Sequence, residues 1–461
     1  MKKLLLRACF ITGMALMTAC TFPFQSNKDD NVQWKSAGQS SVVSSGSEEK
    51  TGKKKKNSAV TITVMGPSSW IRDTEKNGAK SFFHETGIKV KYVIIEDDQY
   101  ERVLLDGVEK EDLPDVYCAF SGPSMGSALR VGENALPDAA PDEYLEEAKA
   151  VTSVDGINYG MAYDDMEAGY YMVYNRRVFE EAGISEFPTT FEELKNDCER
   201  LKDIQVTPIY EPAVDGWHTA LLFTETSQMY EANQPGISVQ LNNNTEKFAD
   251  NPLMLQALGQ LKELADLQCF GDSFASDSYA DAYDKMASGE YAMCMMRPGE
   301  ISRIVASEQN GASYEEDDFG LGILPLNDND ILNVRSSVPA RFVNANSKKK
   351  KYALKYLEFL SSGEQVQAMI EQDPMVSSLP FKSGQSKDNT DVFHVFRKSF
   401  DDYSVKNVLG DKVLYLNEQM TDLSTDLASL LLGDMRPEDV LKAIDSRRTI
   451  LAERAGDPAW D

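Results

Sequence analysis

Gly122-Pro123-Ser124-Met125-Gly126 has the Gly-x-Ser-x-Gly spacing that can present a nucleophilic serine at a strand-to-helix turn. Such a serine needs a histidine as base and an acid to orient it. Only His218 and His394 follow Ser124, neither in a recognisable context, and Pro123 is awkward where the turn must be sharp. The same composition is ordinary loop chemistry. Two carboxylates flanking a glycosidic bond would suffice for glycoside hydrolysis. With 74 acids in the chain, however, composition favours no particular pair. A surface hydrolase acting on glycans or esters is therefore an alternative that the residues leave open. Three histidines, with none near His84 at ligand spacing, give no support to a metal site, and no cofactor motif is present.

Residues suited to holding a molecule are more conspicuous. Of four tryptophans, Trp34 and Trp460 fall towards chain ends expected to be mobile, which leaves Trp70 and Trp217. An indole offers a flat apolar face with an N–H at its edge. The stretch "YGMAYDDMEAGYYMVYN", from Tyr159 to Asn175, concentrates tyrosines and carboxylates in the same way.

The elements that must position these groups can be read from periodicity. "VTITVMG" at 60–66 alternates as a strand, a helix follows from Asp73 to a C-terminal Gly87, and "IKVKYVII" is a second strand. A helix starting near Asp98 and the strand in "LPDVYCAF" complete a β-α-β-α-β order, which implies an α/β lobe with a largely parallel sheet. Ligands of such sheets sit beyond the carboxyl ends of the strands, here the loops Gly66–Trp70, Glu96–Asp98 and Phe120–Gly126. Ser68, Trp70 and Ser121 belong to these loops. Further on, Thr190 and Glu193 form a capping box that opens "FEELKNDCERLK". "VTPIYE", "YAMCMMR" and "FGLGILP" read as strands. "NPLMLQALGQLKELADLQ", "KKYALKYLEFLSS", "VLYLNEQMTDLSTDLASLLLG" and "PEDVLKAIDSRRTILAER" read as helices.

At 461 residues the chain is long enough for two domains. Lys2, Lys3 and Arg7 precede a short apolar run that ends in "LMTAC". That run is too brief for a permanent span. It looks like a bacterial lipoprotein signal (1–19), cleaved before Cys20, whose thiol receives the lipid. Residues 20–58 bury little and are expected to form a flexible tether reaching on the order of 35 Å. The net charge is −27, and setting aside 1–58 leaves about −33 on the remainder. Such a surface disfavours nucleic acid, whose phosphates demand cations. Cys118, Cys198, Cys269 and Cys294 match no metal or redox spacing; a Cys198–Cys269 pairing and four buried thiols are both open.

Five stretches in order resemble the bacterial extracellular solute-binding proteins of the maltose-binding type. They are "FFHETGIKVKYVIIEDDQYERVLL…LPDVY", "DGINYGMAYDDMEAGYYMVYNRRVFEEAGISEFPTTFEELKNDCERLK", "AYDKMASGEYAMCMMRPGEI", "SKKKKYALKYLEFLSSGEQVQAM" and "LLLGDMRPEDVLKAID". The resemblance covers nearly all of 59–455. It implies a two-lobed α/β fold of the periplasmic-binding-protein type II, an N-lobe of 59–164 plus 338–395, and a C-lobe of 168–335 plus 407–455. Hinge crossings would lie near Asp164–Gly169, Arg335–Val338 and within 395–407, with the solute trapped between the lobes. It further implies a monomeric, lipid-anchored receptor on the outer face of the cell membrane. That receptor would deliver a mono- or oligosaccharide to the permease subunits of an ABC importer.

On that mapping Glu211, in "YEP", matches a Glu-Pro pair that lines the family's site. Arg297 occupies the loop after the Ala-Met strand, and Arg335 lies at the second crossing with Ser336 and Ser337. Ile301 and Ser302 stand where the family often has an aromatic, which argues against a maltodextrin-like solute. Asp165 and Glu167, in the candidate hinge "DDMEAG", are expected to face the cleft while Gly169 permits rotation and the tyrosines pack.

Overall fold

The computed structural model describes residues 59–165, 169–335, 337–373, 376, 378–384, 392–400 and 405–460. The signal, Cys20, the tether and Glu167 lie outside the described residues.

The alternation in 60–66 places Ile62 and Val64 in the core of a strand, Thr61–Pro67. It pairs in parallel with Lys89–Ile95 on one side and Val116–Phe120 on the other. Helix Asp73–Thr86 makes the first connection and ends where Gly87 takes φ 71°, a conformation open to glycine. Helix Asp97–Glu109 makes the second. The parallel order then gives way to a mixed sheet. Pro339–Val343, from far along the chain, runs antiparallel to both Val116–Phe120 and Gly160–Ala162. Helices Asp73–Thr86 and Lys350–Leu360 cover this sheet, with Phe82 and Leu357 buried.

The second sheet has the order Phe319–Gly322, Tyr171–Asn175, Tyr291–Met296 and Thr207–Tyr210. Its outer pair, Thr207–Tyr210 against Tyr291–Met296, is parallel and the rest antiparallel. A second apolar core joins it to helices Phe191–Asp203, Pro252–Asp266 and Met420–Leu432 through Leu194, Leu258 and Leu427. The Thr190–Glu193 capping box forms as its chemistry demands. Each lobe thus has its own sheet and core, and the chain passes from one sheet to the other between Ala162 and Tyr171. Two further strands, Leu332–Val334 and Val405–Asn407, pair in parallel outside both sheets.

Two expectations change, and one open alternative closes. The stretch from Val413 to Leu416 is not helical: Tyr415 takes φ 64°, so only a 3-10 turn at Asn417–Gln419 precedes the α-helix, which begins at Met420. Trp460 is 7% exposed rather than mobile, its Nε1 donating to the Asn242 carbonyl at 3.2 Å beside Tyr415 and Arg448. The four cysteines from Cys118 onward are all free and buried.

Candidate functional site

A cavity of about 880 Å³ lies between the lobes at the carboxyl ends of Thr61–Pro67 and Val116–Phe120. The first lobe contributes Trp70, Tyr100 and Phe120 to its wall. Trp70 stands edge-on to Phe120 with centroids 4.7 Å apart, and lies 6.3 Å from Tyr100. The second lobe contributes a ribbon of rings in which Trp217 lies 5.9 Å from Tyr170 and 5.1 Å from Tyr279, with Tyr283 5.9 Å beyond Tyr279. Offset and edge-to-face ring pairs such as these hold one another in place. Apolar faces therefore confront one another across the cleft.

The charges in the wall are largely compensated. Arg297 grips both oxygens of Asp164, at 3.0 and 3.3 Å, and Arg72 reaches Asp164 at 3.1 Å and Asp373 at 3.1 Å. Burial works to raise the pKa of Asp164, but Arg297 and then Arg72 outweigh it and hold the carboxyl down at about 2. The Arg297 guanidinium also covers the Tyr170 ring at 5.3 Å. Arg335 pairs with Glu225 at 3.0 Å and Asp411 at 3.6 Å while its guanidinium lies 5.8 Å from the Phe120 ring. Trp70 is supported from behind: buried Arg341 donates to its carbonyl and to Glu75, each at 2.9 Å.

Of the residues expected to contact a solute, Trp70, Trp217, Arg297 and Arg335 line this cavity. Ser68 and Ser121 do not, although their neighbours Pro67, Ser69 and Phe120 do. The Ser68 hydroxyl donates to Asp97 at 2.8 Å, and the Ser121 hydroxyl accepts the Val338 N–H at 3.0 Å. Asp165 turns inward, 3% exposed, and accepts from the Ser378 hydroxyl at 3.3 Å. Its neighbour Asp164 reaches the wall instead. Gly169 serves close approach, since a β-carbon there would meet Asn333 Nδ2 and Tyr171 Oη at 3.0 Å.

Glu211 is sealed from solvent and committed elsewhere. It accepts from the Thr219 hydroxyl at 2.8 Å and faces His218 Nδ1 at 3.1 Å. His218 Nε2 meets the Met295 carbonyl at 2.8 Å, so both ring nitrogens face acceptors. Burial opposes charge on this imidazole, yet Glu211 outweighs it and the pKa is raised above the ordinary value. His218 therefore bonds to Glu211 and Met295 rather than to Ser124. The Ser124 hydroxyl accepts the Tyr415 N–H at 3.3 Å, outside the cavity wall.

Sequence reasoning missed Tyr170, Tyr279 and Tyr283. The clustered tyrosines of "SDSYADAYDK" were the available signal, but a tight turn at Tyr279–Asp281 has no periodicity to point them inward. These two rings supply the aromatic surface missing at Ile301, which is buried, and at Ser302, whose hydroxyl bonds to the Gly299 carbonyl.

Two lobes with separate cores, and an aromatic cavity between them, define a two-lobed binding protein. Residues 68–367 match the model of the bacterial extracellular solute-binding proteins, and the chain belongs to that family. The diacetylchitobiose-binding protein DasA of Streptomyces coelicolor is 26% identical over 166 residues, 34% of this chain and 38% of that protein. Among solved structures, a chitin oligosaccharide binding protein superposes with a TM-score of 0.71 at 19% identity, covering 87% of this chain and all of that one. A sugar transporter protein from Bacillus licheniformis, in complex with stachyose, gives 0.66 at 18%, covering 85% of this chain and all of that one. At such identities the structural likeness speaks for the fold.

Proposed function

We propose that this chain is a solute receptor that closes on a mono- or oligosaccharide and passes it unaltered to the permease subunits of an ABC importer. The observation that carries the reading is the wall of Trp70 and Phe120 on one lobe facing Tyr170, Trp217 and Tyr279 on the other. Opposed rings suit the C–H faces of a sugar, and the compensated guanidiniums and carboxylates suit its hydroxyl edges. Family membership and the sugars named for the related proteins support the same class. The lobe boundaries at 164/168 and 335/338, and a third crossing within 395–407, belong to this reading. Phe396 in that third segment packs on Tyr171 at 5.7 Å, against the second core. So does attachment to the outer face of the membrane through a lipid on Cys20, with the receptor acting as a monomer. None of the described helices is long and apolar enough to cross a membrane.

A thermal-shift screen over mono- and oligosaccharides, polyols, amino acids and short peptides tests this. A saccharide is expected to raise the melting temperature saturably and to shrink the radius of gyration in X-ray scattering. A panel without any shift, or turnover of the bound sugar, would overturn it.

A further inference from the structure

One edge of the cavity gathers acids from both lobes. Glu101, on helix Asp97–Glu109 of the first lobe, reaches the start of helix Met420–Leu432 of the second. There its carboxylate lies near the Thr421 backbone N–H, with Glu418 and Asp422 close by. Glu418 lies near the Ser124 hydroxyl, and its Oε2 is sealed from solvent without a hydrogen-bond partner. A buried orphan acceptor is costly unless something donates to it. Arg448, whose charge acts on Glu418, does not line the cavity and donates to the carbonyls of Leu414 and Leu241, both at 3.0 Å.

Burial, with Glu418 and Asp422 close by, pushes Glu101 well up against the pull of the Thr421 N–H. Burial also raises Glu418, against the pull of the Ser124 hydroxyl and of Arg448. On the remaining wall Arg72, Arg297 and Arg335 already answer carboxylates, and Arg303 donates to Tyr283 Oη at 3.0 Å. Six lining carboxylates (Asp97, Glu101, Asp164, Asp215, Asp284 and Glu418) face four lining arginines. A negatively charged sugar would enter an acidic cleft.

We propose that the solute is a saccharide bearing a protonated amine, and that this ammonium group sits between Glu101 and Glu418 and donates to Glu418 Oε2. The inference rests on the saccharide reading above and narrows it. An ammonium group carries three donors and no acceptor, which suits a pocket made of acceptors. It removes the like-charge repulsion that opposes bringing Glu101 onto Glu418, so the amine helps to draw the lobes together. Tyr100, Leu104, Leu105 and Met420 in the adjoining wall would cover the carbon frame that carries the amine.

Isothermal titration at pH 6 with matched sugars tests the assignment. Cellobiose, diacetylchitobiose and chitobiose share one backbone and carry a hydroxyl, an acetamido group or an ammonium at carbon 2; galactose and galactosamine form a second matched pair. A charge-assisted hydrogen bond should make the amine-bearing member of at least one set bind about tenfold tighter or more. That ratio should collapse towards one in Glu101→Gln/Glu418→Gln. In the unaltered protein it should fall between 20 and 500 mM salt, as screening requires. Neutral members that bind without any gain from the amine would sink this assignment alone. A gain that survives both glutamines and high salt would place the amine elsewhere and overturn it. Absence of binding by every member would sink the saccharide reading along with it.

Discussion

Asp164 is held at one end of the cleft by two guanidiniums, and its energetics can be separated from those of any solute. An aspartate whose folded pKa is depressed stabilises the protein above its unfolded value, and that contribution is lost as pH falls through the folded one. With an ordinary value of 3.8 and a folded value of about 2, the loss falls between pH 4 and pH 2. It should amount to about 2 kcal/mol of unfolding free energy between pH 5 and pH 2. Asp164→Asn should remove that part of the acid dependence and cost about 3 kcal/mol at pH 7, because Arg297 is left with an uncompensated buried charge. Urea titrations of both proteins across this range decide it; equal acid slopes would show that the charge of Asp164 is not felt.

His218 has the opposite sign. Its pKa is raised, so the stability it brings is fully present below about 6.5, the unfolded value, and declines as pH climbs through the folded value. Melting temperatures of the unaltered protein should fall over that climb relative to Glu211→Gln. A solute affinity that collapses in Glu211→Gln without loss of stability would return Glu211 to the binding surface.

At the level of elements, local chemistry wrote some boundaries into the sequence plainly. Gly87 ends a helix because the next conformation is left-handed, and Thr190 with Glu193 starts one by satisfying its free N–H groups. A β-carbon on Gly87 would meet nothing within 4 Å, so Gly87→Ala should cost only the backbone strain, about 1 kcal/mol. At Gly66 the added carbon would press on Cys118 Sγ at 2.8 Å and Ile71 Cδ1 at 2.9 Å. Gly66→Ala should therefore cost more and distort the loop that carries Trp70, which denaturant unfolding of the two variants would separate. What local chemistry does not encode is long-range placement. Pro339–Val343 enters the first sheet more than two hundred residues after its neighbour Val116–Phe120, and nothing in its alternation announces that. Whether Asp164 or Asp165 faces the cleft depends on where Arg72 and Arg297 arrive from the two lobes. Trp70 and Trp217 were readable because loops at strand ends have few other places to point. Glu211 was misleading, since a carboxylate at a strand end can equally be drawn back by a histidine, here His218 at the first position of the helix His218–Thr224.

Two large cores stand behind a cavity whose walls come from both lobes, so on the proposed reading binding and closure are a single linked event. A solute that touches Trp70 and Trp217 together stabilises the closed arrangement by its preference for that arrangement over the open one. At a hundred times the dissociation constant, mass action should add about 2.7 kcal/mol to the folded state. Because the wall is shared, truncating either side should weaken the same event. Trp70→Ala and Trp217→Ala should each reduce affinity about tenfold or more, since each removes a large apolar face from the wall. The solute-induced fall in radius of gyration should nonetheless return in each variant once the solute is raised in proportion, because neither substitution falls in the proposed crossings. If one alanine variant bound with unchanged affinity while the other lost binding altogether, a single lobe would carry the solute, and closure would be a consequence of binding without contributing to it.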